Sequence, residues 1–280
     1  MTSLDRMLRW CVLAGLMVLP GPQAALAAEP PAAAQGHAIH LVYQLYGRGM
    51  HVMNVEADFR LTPDGYSMRL HDQTAGLLSL MLHTNVTSVA LGRFGADGGV
   101  EPAHFESSGY SRGADRHTVL DYRAGNPVVA LLTPPEPKRD PVDPASTRGS
   151  IDTLSAIADM VHKVQTTGRC DGQALVFDGL RLTRVVSDTG PREMMLPGAR
   201  SPFGGPTLRC DFISQQVAGF LHNGEGAQMH EPKHGSAWIA RVLPGAPPLP
   251  IRITFQNPQL GEATMYLVQA SAGGVGTLSG

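Results

Sequence analysis

The chain is short of charge and of aromatic rings. Asp, Glu, Lys and Arg make up 16% of its 280 residues, and Phe, Trp and Tyr only 6%. It has no basic excess either: 22 Lys+Arg stand against 24 Asp+Glu, a net charge of −2. That balance offers no field to draw in nucleic acid or an anionic membrane surface. Lys and Arg are not interleaved with aromatics as a nucleic-acid groove would need. Only three cysteines occur, so no dense disulfide scaffold or Cys-based metal cluster is available. Past the first twenty residues, no apolar run approaches the roughly 20 residues that span a bilayer. No G-x-S-x-G elbow is present, and "ESSGYSRG" is serine-rich without one. The glycines of "GVGTLSG" lie at the C-terminus and not between a strand and a helix, so they form no phosphate cradle.

What is abundant is glycine (32) and proline (22), in a chain that is 42% hydrophobic. That mixture suits many short strands joined by turns. The first residues read as a secretory signal peptide, residues 1–27. Arg6 and Arg9 form the positive start, "WCVLAGLMVL" the apolar segment, and Ala25-Leu26-Ala27 the cleavage site. The arginines are not adjacent, which favours the general export route over the twin-arginine route. A loose mature N-terminus, 28–36, follows. Cleavage leaves 20 Lys+Arg and 23 Asp+Glu, a mature net charge of −3. The expected compartment is the periplasm. Cys11 leaves with the signal. Cys170 and Cys210 remain, and two cysteines in an exported protein are expected to pair. A redox pair is the alternative, although it usually shows closer spacing such as C-x-x-C.

Residues 37–61 alternate with period two. Ile39, Leu41, Tyr43 and Leu45 share one face, "GRG" turns the chain, and Met53, Val55, Ala57, Phe59 and Leu61 continue. "TPDG" is a turn, and Tyr66, Met68 and Leu70 extend a meander. "AGLLSLMLHTNVTSVALG" reads first as a short helical or looped plug and then as a strand. "LLTPPEPKRDPVDPAS" is a proline-rich, extended connector. The one strong helix is 151–166, with Ile151, Leu154, Ile157, Ala158, Val161 and Val164 on one face and Met160 beside it. Ser150 is the expected cap, Asp152 suits the first turn, and Gly168 suits the end. Strands resume after Cys170. The predicted architecture is mainly β: an antiparallel curved sheet or half-open β-barrel packed around one α-helix. It forms a single domain over 37–270, with a flexible tail at 271–280.

These pieces resemble a known family. Pro141, Asp143 and Pro144 precede the helix "TLSAIADMV". Cys170, Val176, Asp178, Gly179 and Arg181 follow it, and Cys210 comes later, ahead of Ala218-Gly219-Phe220. This arrangement resembles the domain of unknown function 3108 family of exported bacterial proteins. The resemblance covers most of the mature chain. It implies a curved sheet wrapped partly around a helix, similar to periplasmic lipoprotein carriers and to envelope-integrity proteins with a spiral sheet. It supports pairing of Cys170 with Cys210 and implies no catalytic residues.

The candidate chemistry is sparse. "HEPKH", 230–234, has the H-E-x-x-H spacing of zinc proteases, which needs a helix to bring both imidazoles to one ion. Pro232 opposes that helix and disfavours it at Glu231 as well. A weak surface metal site from His222, His230 and His234 is the milder alternative. Asp178 and Arg181 could face a ligand, but Asp178-Gly179 reads first as a hairpin turn. Asp171 and Asp178 could be cast as a carboxylate pair. Leu77, Leu78, Leu80, Met81 and Leu82, with Met53, Met68 and Met160, could mark an apolar pocket, against ordinary core packing. The expectation is a non-enzyme without cofactor, catalytic or metal residues. It would bind a lipid or lipoprotein chain in the curved sheet. The alternative is a structural or interaction factor docking an envelope protein, and a hydrolase is the weaker third.

Overall fold

The computed structural model describes residues 38–80, 83–222, 230–257 and 260–273. The proposed signal peptide, the loose N-terminus and Met81 and Leu82 lie outside them. So does the tail from 274 onward.

Among the described residues, thirteen strands and one long α-helix follow in chain order. The first meander is β1 (Ala38–Gly47), β2 (Met50–Leu61), β3 (Gly65–Thr74), β4 (Asn85–Phe94), β5 (Val100–Ser111), β6 (Ala114–Arg123) and β7 (Asn126–Thr133). A connector leads to α1 (Thr153–Thr167). The second meander is β8 (Gly172–Phe177), β9 (Leu182–Met195), β10 (Gly205–Ala218), β11 (Lys233–Ala240), β12 (Leu249–Asn257) and β13 (Gly261–Gly273). All thirteen join in one sheet, ordered β7-β6-β5-β4-β3-β2-β1-β13-β12-β11-β10-β9-β8, and every neighbouring pair is antiparallel. Only the β1–β13 ladder is non-sequential. It joins the two meanders from Ala38↔Gly273 to Gly47↔Ala263.

The alternation read in the sequence is the alternation of burial. Ile39, Leu41, Tyr43 and Leu45 of β1 are buried, as are Val55, Ala57 and Phe59 of β2 and Tyr66 and Met68 of β3. These side chains line the concave face, because successive strand residues point to opposite sides. The Tyr43 hydroxyl donates to the Pro250 carbonyl at 2.9 Å, tying β1 to β12 across the interior.

The two ends of the sheet, β7 and β8, share no ladder, yet the ring nearly closes. Gly179, in the β8–β9 turn, has φ 89° and lies against β6, where a Cβ would stand 2.6 Å from Thr118 Cγ2. Both the backbone conformation and the approach require glycine there. The result is a nearly closed, barrel-like antiparallel sheet around one helix.

Three details differ from the sequence reading. Ser150 is not the helix cap: its hydroxyl donates to the Thr147 carbonyl at 2.7 Å, and Asp152 caps α1 by accepting from the Ser155 amide at 2.8 Å. Ile151 stands before the helix and pairs with Val176 of β8. Its amide and carbonyl are taken by Leu175 and Phe177, which pins the helix start to the sheet. Ser271, Ala272 and Gly273 are no tail, because they extend β13 against His40, Ile39 and Ala38. Gly168 does close the helix: at φ 68° its amide donates to Val164 O.

Cys170 and Cys210 form a disulfide with Cα atoms 6.0 Å apart, joining the segment after α1 to β10. Both are buried among Val164, Leu208, Ala237 and Ile239. The bond closes a loop 40 residues long. A Cys170→Ala/Cys210→Ala variant should therefore lower the thermal midpoint, reflecting up to about 4 kcal/mol of lost chain constraint. Non-reduced protein should show no free thiol at either position, and two labelled thiols there would contradict the bond.

Candidate ligand-binding cavity

The helix lies inside the sheet and off its centre. A buried polar chain holds it to one side. The Tyr66 hydroxyl of β3 donates to Ser155 Oγ at 2.6 Å, and Ser155 Oγ donates to Asp152 Oδ2 at 2.6 Å. The Tyr122 hydroxyl of β6 reaches the same carboxylate oxygen at 3.2 Å. Burial pushes the Asp152 carboxyl and both tyrosine hydroxyls up from their ordinary values. One turn before the helix end, His162 stacks on Phe94 of β4, with ring centroids 3.7 Å apart. Leu154, Ala158 and Val161 pack into the main core. The buried face of α1 is thereby spent on β3 to β6 and on β8.

The other flank faces empty space. A cavity of about 540 Å³ opens between α1 and strands β8 to β12. Its size falls in the range of small-molecule sites. Ala156, Ile157, Met160 and Lys163 line it from the helix, at the spacing that puts them on one face next to the core stripe. Val176 and Val185 face them from β8 and β9. Phe212 of β10 and Ile253 and Phe255 of β12 complete an apolar floor. Gly235 makes room for the Phe212 ring, since a Cβ there would stand 2.3 Å from Phe212 Cζ. Polar groups gather at two ends. Asp159 and Lys163 form an ion pair at 2.8 Å. Asp178 and Arg181 form another at 2.6 Å, near the helix start. Ten residues of helix separate Thr153 from Lys163, about 15 Å along the axis.

The sequence candidates sort out as follows. Asp178 is both things at once: it makes the turn, accepting from the Leu180 and Arg181 amides at 3.0 and 2.7 Å, and it lines the cavity. Asp171 and Asp178 are not a pair. They flank the six-residue β8, so its extended length sets them about 20 Å apart. Asp171 is held low by hydrogen bonds from Thr189 and Arg169. Of the methionines, Met160 lines the cavity, whereas Met68 is buried in the core and Met53 packs against it. Ile157, read as core stripe, is cavity wall. Leu77 is 78% exposed on the short 3-10 turn Gly76–Leu80, so it plugs nothing. His222 is bound to Asp140 at 2.8 Å, His230 stacks on Phe220, and His234 belongs to β11 with its amide on Gln256. The rings of His222 and His230 thus have separate partners, and from Lys233 onward the segment is strand, not helix.

The sequence reading missed two features. One is the burial of Asp152, whose carboxylate takes the local Ser155 amide and hydroxyl and, from β6, the Tyr122 hydroxyl. The other is Asp72 of β3, which shares the parity of Tyr66 and Met68. Burial pushes its carboxyl up to about 6.

No family model matches the chain, and no curated protein matches it. One solved structure with a similar course is described as a β-barrel-like protein of domain of unknown function DUF1849 from Brucella abortus. It has a TM-score of 0.49 and 12% identity, over 86% of this chain and 100% of that one.

Protein purified without a histidine tag should carry well under one equivalent of zinc by metal analysis. A full equivalent lost on His230→Ala or His234→Ala would reverse that reading. For Asp72, the folded carboxyl holds its proton more tightly than the ordinary value of 3.8. Stability should therefore fall as pH rises from about 4 through 6. Asp72→Asn should be neutral near pH 4 and stabilising at pH 8, by on the order of 1–3 kcal/mol in denaturant titrations.

Proposed function

We propose that this is an exported, periplasmic protein that binds an apolar or amphipathic envelope component, a lipid or a lipoprotein chain, and catalyses no reaction. The observation that carries this reading is the apolar cavity of about 540 Å³ between α1 and β8 to β12. An acyl chain needs a dry channel, and Ile157, Met160, Val185, Phe212 and Ile253 supply one. The cavity's carboxylates favour binding over catalysis. Asp159 is paired with Lys163 and Asp178 with Arg181, so each is tied to a cation. The signal-like N-terminus and the buried disulfide both suit the periplasm.

Organic extraction of the purified protein, followed by mass spectrometry, tests the reading directly: a recurrent lipid is expected. Val185→Trp should fill the cavity from β9. It should weaken binding of a fluorescent fatty acid by about tenfold or more, while changing stability by only about 1–3 kcal/mol. Unchanged binding in that variant, with no lipid in the extract, would remove the cavity from consideration.

One observation favours a second reading, a protein-interaction role. β7 is an end strand whose Val128, Val129 and Leu131 are about 40% exposed. An apolar strand edge of that kind can pair with a partner strand.

A further inference from the structure

A second, smaller cavity of about 160 Å³ lies on the other side of the Asp178–Arg181 turn. The two cavities share both residues of that ion pair. The chemistry changes across them. The larger cavity is apolar, whereas the smaller is lined by three guanidinium groups, Arg112, Arg116 and Arg181, with the hydroxyl residues Ser107, Ser111 and Thr118.

The positive charge there is not balanced. Glu136 is the carboxylate of the cluster, and it is already used. Arg116 Nη1 donates to Glu136 Oε1, and Arg139 Nε donates to Oε2 at 3.0 Å. Arg139 is buried, and it also donates to the Gly219 carbonyl. Burial alone would raise the Glu136 carboxyl. The hydrogen bond from Arg139 and the charges of Arg112, Arg139 and Arg116 nevertheless hold it below the usual range. Arg181 has Asp178 as its own partner. Arg112 is the most loosely paired of the four, in an ion pair with Glu136 and half exposed. It stands 3.7 Å from Glu136 Oε1, the oxygen Arg116 already occupies, which is beyond hydrogen-bonding range. Four guanidiniums against two carboxylates leave two positive charges. Burial and then the neighbouring Arg116 depress the Arg112 guanidinium, while Glu136 opposes the shift.

The cluster therefore keeps an excess of cations beside the smaller cavity. We propose that the smaller cavity takes the phosphate of an amphiphile whose apolar chain occupies the larger cavity. Arg112 and Arg181 would hold the anion in forked hydrogen bonds, with Arg116 and the hydroxyls beside them. Guanidinium suits this role because its planar fork matches two phosphate oxygens at once. The inference rests on the apolar-cavity reading and adds to it the class of headgroup.

Calorimetric titration of the intact mature protein with three probes tests it: octyl phosphate, octyl glucoside and inorganic phosphate. Octyl phosphate should bind at least about tenfold more tightly than either of the others, the factor expected of hydrogen bonds to a charged group. Its affinity should fall with added salt. Arg112→Gln changes a half-exposed side chain and should leave the thermal midpoint in place. It should remove most of the preference for octyl phosphate, and Arg112→Gln/Arg181→Gln should remove all of it. Octyl glucoside binding should stay within about twofold in Arg112→Gln, because Arg112 lines the smaller cavity and not the larger one. Equal affinity for octyl phosphate and octyl glucoside would overturn the headgroup assignment and leave the apolar cavity standing. Inorganic phosphate binding as tightly as octyl phosphate would make this a free-anion site and overturn it as well. Failure of both octyl compounds to bind would bring down the apolar-cavity reading together with this one.

Discussion

The structure depends on one constraint of size. A barrel of about eight strands can fill its interior with its own side chains, and more strands leave a lumen. Thirteen strands curl here into one nearly closed ring, joined between its two halves by the β1–β13 ladder. An interior that wide needs something in it. The chain supplies α1, inserted between the two meanders in the connection from β7 to β8, the two ends of the sheet. A helix with side chains is only about 10–12 Å across. It fills part of the interior, and the unfilled part is the cavity.

Where that space falls is an electrostatic decision. Asp152 is buried and would be costly there without partners. Its carboxylate is satisfied by the Ser155 amide and hydroxyl and by Tyr122, and Ser155 Oγ accepts from Tyr66. Those tyrosines stand on β3 and β6, so the cap and its partners hold the helix start against the first meander. The disulfide holds the segment after the helix to β10 on the second. Anchored at both ends, α1 turns Ile157 and Met160 toward β9 to β12. The cavity is thus held open from its two ends, by a polar node and a covalent bond, with an apolar middle. At the node's end the Asp178–Arg181 turn closes the ring against Thr118 and borders both cavities. One short loop therefore serves closure of the fold and the polar boundary of the candidate site.

Much of this was legible before any coordinates. Period-two burial in β1, β2 and β3 is written in Ile39 to Leu45 and Val55 to Phe59, since one face of a strand is either buried or not. Gly168 marks the end of α1, because a left-handed residue there needs no Cβ. The pairing of Cys170 with Cys210 came from counting cysteines. The beginning of the helix was harder. Ser150 and Asp152 are both good caps by type, and only the sheet contact of Ile151 decides between them. Ile157 and Met160 share their apolar character with true core residues, so composition could not tell wall from core.

What the sequence by itself determined is local and periodic. It comprises the mainly antiparallel character, the one amphipathic helix, the turns at "TPDG" and Asp178-Gly179, and the improbability of a zinc helix through Pro232. What only the tertiary structure decided is relational. Arg112, Arg116, Glu136 and Arg181 are far apart in the chain, and the nearly closed sheet makes them one cluster. Cavity and cluster are properties of the space between elements. Side-chain periodicity sets which way each strand faces, whereas the distance between facing walls is set by strand number, closure and the anchoring of a helix far away in sequence.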